Sequence, residues 1–126
     1  MQLNTITELL DIPNYKVTRV IHNDGNSLHF IVEQIERLPP LCSGCGRVHA
    51  EGIHSVWMNL IEDLPISGKR VFLHVPRRKV HCLEDDTIRV EEIPWLRKRF
   101  SLRFAKQVYR LTAITTNQEA GWYLGL

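Results

Sequence analysis

Only three cysteines occur in the 126 residues, an odd number, so a disulfide framework is not what holds this chain together. No apolar run approaches the roughly 18–20 residues that a membrane-crossing helix needs. The opening stretch, Met1 to Leu10, has no positive charge and is broken by Asn4, Thr5, Thr7 and Glu8, so it does not read as a secretory signal. Repeats and low-complexity tracts are lacking as well. These absences exclude a membrane partner and wholesale disorder, and they predict a soluble cytoplasmic protein. With 44% apolar and 24% charged residues the composition is that of an ordinary folded chain. The length suits one domain, or one small domain plus part of another, and leaves no room for a deep cleft around a small-molecule substrate.

Acidic residues are missing from one long stretch. Residues 1–92 hold 10 basic and 13 acidic side chains, net −3, whereas residues 93–126 hold 6 and 1, net +5. No acid lies between Glu92 and Glu119, while Arg97, Lys98, Arg99, Arg103, Lys106 and Arg110 fall within one short stretch of that interval. Such a segment attracts polyanions, nucleic acid above all; the competing reading is a merely solvated basic helix face. Arg77, Arg78 and Lys79 form a second basic run.

The pattern of apolar residues divides the chain at the same place. Leu3, Ile6, Leu9 and Leu10 recur at helical spacing, with Asn4 or Thr5 as caps. Residues 15–34 read as a β-hairpin about Asn23-Asp24-Gly25-Asn26, because Asp-Gly favours the turn that matches strand twist. Pro39-Pro40 ends it. Ile53, Ser55 and Trp57 alternate, Leu64 to Gly68 reads as a turn, and Val71, Leu73 and Val75 alternate with Phe72 and His74. Pro76 should bend that strand or mark an edge, since it has no N–H for a ladder. Arg77–Cys82 and Thr87–Val90 read as further short strands. After Pro94 the period changes: Leu102, Ala105, Val108, Tyr109 and Leu111 predict an amphipathic helix capped by Ser101. Thr116 to Glu119 fits a capping box for a second helix beginning near Asn117.

The cysteines carry the chemistry. Cys42-Ser43-Gly44-Cys45-Gly46 is a turn that can aim two thiolates at one tetrahedral ion, and Cys82 follows across a predicted hairpin, the layout of a zinc ribbon. No fourth cysteine is present near Cys82. One reading is therefore a structural zinc site completed by His or Asp. A second is buried, idle thiols, and a third is a redox pair, disfavoured because no βαβ pattern surrounds the motif. Of the six histidines only His49 and His81 lie close to a cysteine in sequence. His49, four residues after Cys45, is the preferred fourth ligand; Asp86 is its rival, and His81 is disfavoured because adjacent strand residues point to opposite faces.

The ordered set Cys42-Ser43-Gly44-Cys45-Gly46, then Asp63-Leu64-Pro65-Ile66-Ser67-Gly68-Lys69-Arg70-Val71, then Arg77-Arg78-Lys79-Val80-His81-Cys82 resembles the N-terminal zinc-binding region of ISL-three-type bacterial insertion-sequence transposases. The stretch from Ile93 to Gly125 resembles the helix-turn-helix that follows there. The resemblance implies an α+β chain: a small β-rich, zinc-ribbon-like domain over residues 1–92, with the hairpin 15–34 and the knuckle and strands 41–92, then a basic helical segment over 93–126 that begins a helix-turn-helix. It implies structural zinc on Cys42, Cys45, Cys82 and His49, and double-stranded DNA at the transposon ends as partner. Self-association would belong to the full-length protein. The family's last cysteine has no counterpart. Nor does its acidic catalytic domain, so this stretch is expected not to be an enzyme: Asp63, Asp85 and Asp86 read as turn and surface acids. The alternative function is a stand-alone zinc-ribbon-like module that binds protein.

Overall fold

The computed structural model describes residues 3–22, 25–49 and 52–114. Helix α1 (Leu3–Leu10) buries Ile6 and Leu10, two of the residues whose spacing predicts it. Its Thr7 hydroxyl donates to the Leu3 carbonyl and accepts the Val17 N–H, which ties the helix to the first strand. That strand, β1 (Tyr15–His22), pairs antiparallel with β2 (Ser27–Gln34) as the expected hairpin. Two strands of 14 residues follow, β3 (Ile53–Ile66) and β4 (Lys69–Cys82). Then come β5 (Thr87–Val90), β6 (Leu96–Arg97), β7 (Phe100–Ser101) and helix α2 (Leu102–Ile114). The order β1-β2-β4-β3-β7-β6, with β5 on β4, makes one mixed sheet; β2–β4 and β3–β7 are its parallel pairs. The architecture is α+β. The capping box at Thr116 and the second helix of the expected helix-turn-helix lie outside the described residues.

The turn between β3 and β4 is smaller than the sequence reading. Leu64, Pro65 and Ile66 stay in β3, and only Ser67 and Gly68, at φ 50° and 75°, reverse the chain. Positive φ at both central residues is the hairpin turn whose twist suits right-twisted strands. A Cβ on Gly68 would meet nothing within 4 Å, so Gly68→Ala costs only the left-handed conformation. We expect it to destabilise the chain by about 1 kcal/mol, read as a lower urea midpoint at unchanged m-value.

Strand β4 organises the molecule by burying opposite faces in its two halves. Val71, Leu73 and Val75 are fully buried, packed with Phe30, Val32 and Ile61 and closed over by α1, Tyr15, Ile93 and Leu96. Past Pro76 and Arg77 the buried set becomes Arg78, Val80 and Cys82. Arg77–Cys82 is thus the second half of β4, not a separate short strand. Pro76 is tolerated because β2 pairs only as far as His74 and β5 begins only at Lys79, so the strand flank beside it has no ladder to complete. At the change of face, Arg78 and Glu91 form a buried ion pair at 2.8 Å, and Arg78 Nη1 also donates to the Leu38 carbonyl. The sheet continues past residue 92: Leu96 pairs with Ser101, and Glu62 of β3 with Phe100.

Helix α2 begins as read, with the Phe104 N–H donating to the Ser101 hydroxyl. Its anchor is Phe104, 1% exposed and stacked on Phe100, a residue absent from the predicted apolar set. That set was built on spacing within the helix, but among the described residues of α2 it is Phe104 that is buried. Tyr109 remains 77% exposed. Among the described residues no helix is long and apolar enough to cross a membrane.

Candidate functional site

Residues 41–49 fold as a small hairpin of their own. Leu41 bridges Val48, the Cys42 N–H donates to the Arg47 carbonyl, and the Gly46 N–H returns to the Cys42 carbonyl at 3.0 Å. Gly46 takes φ 73°, which lets the chain leave the turn. The turn after Cys82 repeats this geometry, with the Asp86 N–H on the Cys82 carbonyl at 2.9 Å and Asp86 at φ 56°. Cys42 also bridges Glu91, which brings the knuckle against the end of β5, and Arg47 crosses to Glu84 to join the two turns at 2.9 Å.

These two turns bring Cys42, Cys45, His49 and Cys82 together with all four ligand atoms within 4.8 Å of one another. A tetrahedral ion with the usual zinc–sulfur and zinc–nitrogen bonds needs ligand separations of about 3.5–3.8 Å. Cys45 Sγ and His49 Nε2 are 3.2 Å apart, already near that edge. Cys42 and Cys82 are inaccessible to solvent, and among the described residues the only aliphatic side chain clustered with the thiols is Val80. Backbone N–H groups face the sulfurs. The Cys45 and Gly44 amides lower the Cys42 thiol pKa, the latter from 3.4 Å. The Asp85 amide acts the same way on Cys82, but burial and the neighbouring sulfurs of Cys42 and Cys45 outweigh it and push that thiol up. Three converging thiols and an imidazole fit zinc, and zinc is the cofactor this site is built to hold. His81 and Asp86, the rejected ligand and the rival, pair with each other at 2.5 Å outside the cluster.

The site and its scaffold define a zinc ribbon, a structural metal clamp between two knuckles. Residues 38–85 match the family described as the zinc-finger of transposase IS204/IS1001/IS1096/IS1165. The chain is also 33% identical over 91 residues to the transposase for insertion sequence element IS1001 from Bordetella parapertussis. That alignment takes in 66% of this chain and 22% of the relative, so the chain spans about a fifth of the relative's length. No solved structure matches.

The sequence-predicted basic residues fall into three groups. Arg78 is buried on Glu91, and Arg103 is held by Asp63, with its Nε on Oδ1 at 2.8 Å and its Nη2 on Oδ2. Arg77 and Lys79 sit over the Trp57 ring, at 6.0 and 5.6 Å from its centroid. Arg97, Lys98 and Arg99 occupy the tight β6–β7 hairpin, and Lys106 and Arg110 lie on α2. All five of this last group are exposed, and none makes an ion pair among the described residues. Asp63 is a buried strand residue rather than a turn acid. Asp85 is engaged by Thr87 and Arg89, which hold its carboxyl far below the usual range. Sequence reasoning missed Trp57 as a partner of the second basic run. Its signal was register, since Trp57 pairs directly with Arg77 across the ladder.

Proposed function

We propose that this chain is the DNA-binding, N-terminal portion of an insertion-sequence transposase, which recognises transposon-end DNA without performing the chemistry itself. The observation that carries the reading is the set of five exposed cations on the β6–β7 hairpin and α2 that lack carboxylate partners among the described residues. Arginines used for folding, such as Arg78, are neutralised in place; these five are left to an outside polyanion. The division is one of charge: residues 1–92 supply the β-rich scaffold and the zinc clamp, and residues 93–126 supply the basic DNA-facing segment, the start of a helix-turn-helix. Phosphate contacts from the hairpin and α2 would position the protein, leaving sequence readout to groove contacts.

The test is fluorescence anisotropy on duplex DNA across a salt series. Replacing Arg97, Lys98, Arg99, Lys106 and Arg110 with Ala should remove most affinity and lower the log–log salt slope by about 0.9 for each phosphate no longer neutralised. Arg103 is left out because its removal would strip a buried carboxylate of its partner. Equal affinity and slope in the fivefold variant would overturn the reading and favour a protein-binding ribbon. Purified protein with Mg²⁺ should neither nick nor join DNA.

A further inference from the structure

We propose that the face of the β3–β4–β5 ribbon carrying Trp57, Arg77 and Lys79 is a stacking platform for an unpaired base of single-stranded DNA. The proposal shares with the reading above only nucleic acid as the partner class, and it uses a different surface from the β6–β7 hairpin.

Register builds the platform. Trp57 lies opposite Arg77, Ser55 opposite Lys79, and Lys79 opposite Val90, so these five side chains share one face. This is the face that buries Val71, Leu73 and Val75 farther along β4; beyond Val75 the core ends and the same face continues half-buried and then exposed. The other face of this half is closed by the zinc knuckle, through Val80 and Cys82.

Charge then selects an anion. The Arg77 and Lys79 cations both lie over one indole, and neither pairs with a carboxylate among the described residues. Glu91, the nearby acid, is ion-paired with Arg78; Arg77 donates to the Glu91 backbone carbonyl at 2.9 Å and feels its charge, but forms no ion pair with it. Arg77 Nε is buried without an acceptor, and burial lowers the pKa of the guanidinium. The acid at the far end, Asp86, is taken by His81. Two cations without an ion-pair partner among the described residues, set beside an aromatic ring, match a phosphate next to a base. A duplex hides the faces of its bases, so stacking on Trp57 requires an unpaired one; single-stranded DNA provides both partners at once.

The experiment uses the zinc-loaded full chain, a short oligothymidylate as single-stranded probe and a duplex as comparison. Oligothymidylate should bind and quench tryptophan fluorescence. Trp57→Phe should keep most of the affinity but lose the quench, although Trp95 and Trp122 remain. Trp57→Ala should weaken oligothymidylate binding by about tenfold, the effect of removing one stacked base, and change duplex affinity by less than about twofold. Lys79→Ala, at an exposed position, should lower the single-strand salt slope by about 0.7. Absence of oligothymidylate binding, an unaltered affinity in Trp57→Ala with an unaltered slope in Lys79→Ala, or equal losses on duplex and single strand would each overturn the platform. Loss of duplex binding alone in the fivefold hairpin and α2 variant leaves it standing. Failure of the wild type to bind duplex, with oligothymidylate binding intact, would sink the function proposed above and not this one.

Discussion

Cys82→Ser is expected to purify without zinc and to lose ordered structure over the knuckle, the end of β4 and β5. The reason is the make-up of that end of the molecule. Its buried cluster is Cys42, Val80, Cys82 and part of Cys45, so almost no aliphatic surface holds the two turns together. The metal is the core there. Structural zinc contributes on the order of 10 kcal/mol of apparent folding free energy in small ribbons, more than any hydrogen bond at the site could replace. The damage should stay local, because α1, β1, β2 and the first half of β4 have a separate apolar core around Leu73 and Ile61. Hydrogen exchange should therefore rise over residues 41–49 and 78–91 while the amides around Leu73 stay protected. The ligand set is tested beside it: His49→Ala should lose the nitrogen ligand by X-ray absorption, and Asp86→Ala should keep stoichiometric zinc on three sulfurs and one nitrogen. A folded, metal-free wild type that ignores chelators would end the zinc assignment.

The site was legible in the sequence to an unusual degree, because knuckle geometry is local. Cys42 to Gly46 fixes its own turn, and His49 needs only three more residues to fold back over it. His81 was rejected by strand alternation, and the structure turns it away to Asp86. What the sequence hid was long-range. A period-2 pattern cannot reveal that β4 changes its buried face at Pro76 and Arg77, because the change depends on which layers cover each half. The same limit applies to helix α2. Composition grouped Arg103 with Lys106 and Arg110 in one basic stretch, yet Arg103 lies over a buried carboxylate 40 residues earlier in the chain. Phe104 went unnoticed for the mirror reason: it anchors the helix through its packing on the sheet, which no pattern within the helix records.

Asp63→Asn is expected to be the most damaging isosteric change away from the zinc site. Asp63 is 1% exposed, and its carboxylate accepts from the Ser101 hydroxyl at 2.6 Å and from two nitrogens of Arg103. Arg103 reaches on to the Leu10 carbonyl at the end of α1. One carboxylate of β3 thus fixes the cap of α2, its first turn and the end of α1. The amide keeps the shape but removes the charge, leaving a half-buried guanidinium without a counter-ion. Breaking such a pair from one side costs about 3 kcal/mol, the low end of the range because the Arg103 side chain is 37% exposed. The pH dependence follows from the same geometry. Burial alone would raise the Asp63 pKa, but the hydrogen bonds from Arg103 and Ser101 and the Arg103 charge outweigh it and hold it below its ordinary value of 3.8. A carboxyl lowered by folding binds more protons when unfolded. Its contribution is therefore complete above the unfolded pKa, near 4, and is lost as pH falls through the lower folded value. The wild type should lose that increment on acidification, and Asp63→Asn should lack it. Asp63→Ala combined with Arg103→Ala should cost less than the sum of the two single changes, because the double variant leaves no unpaired charge. Denaturant melts of the wild type and these variants at neutral and acid pH decide it: Asp63→Asn within about 0.5 kcal/mol of wild type at neutral pH would show that the latch does not hold the helix.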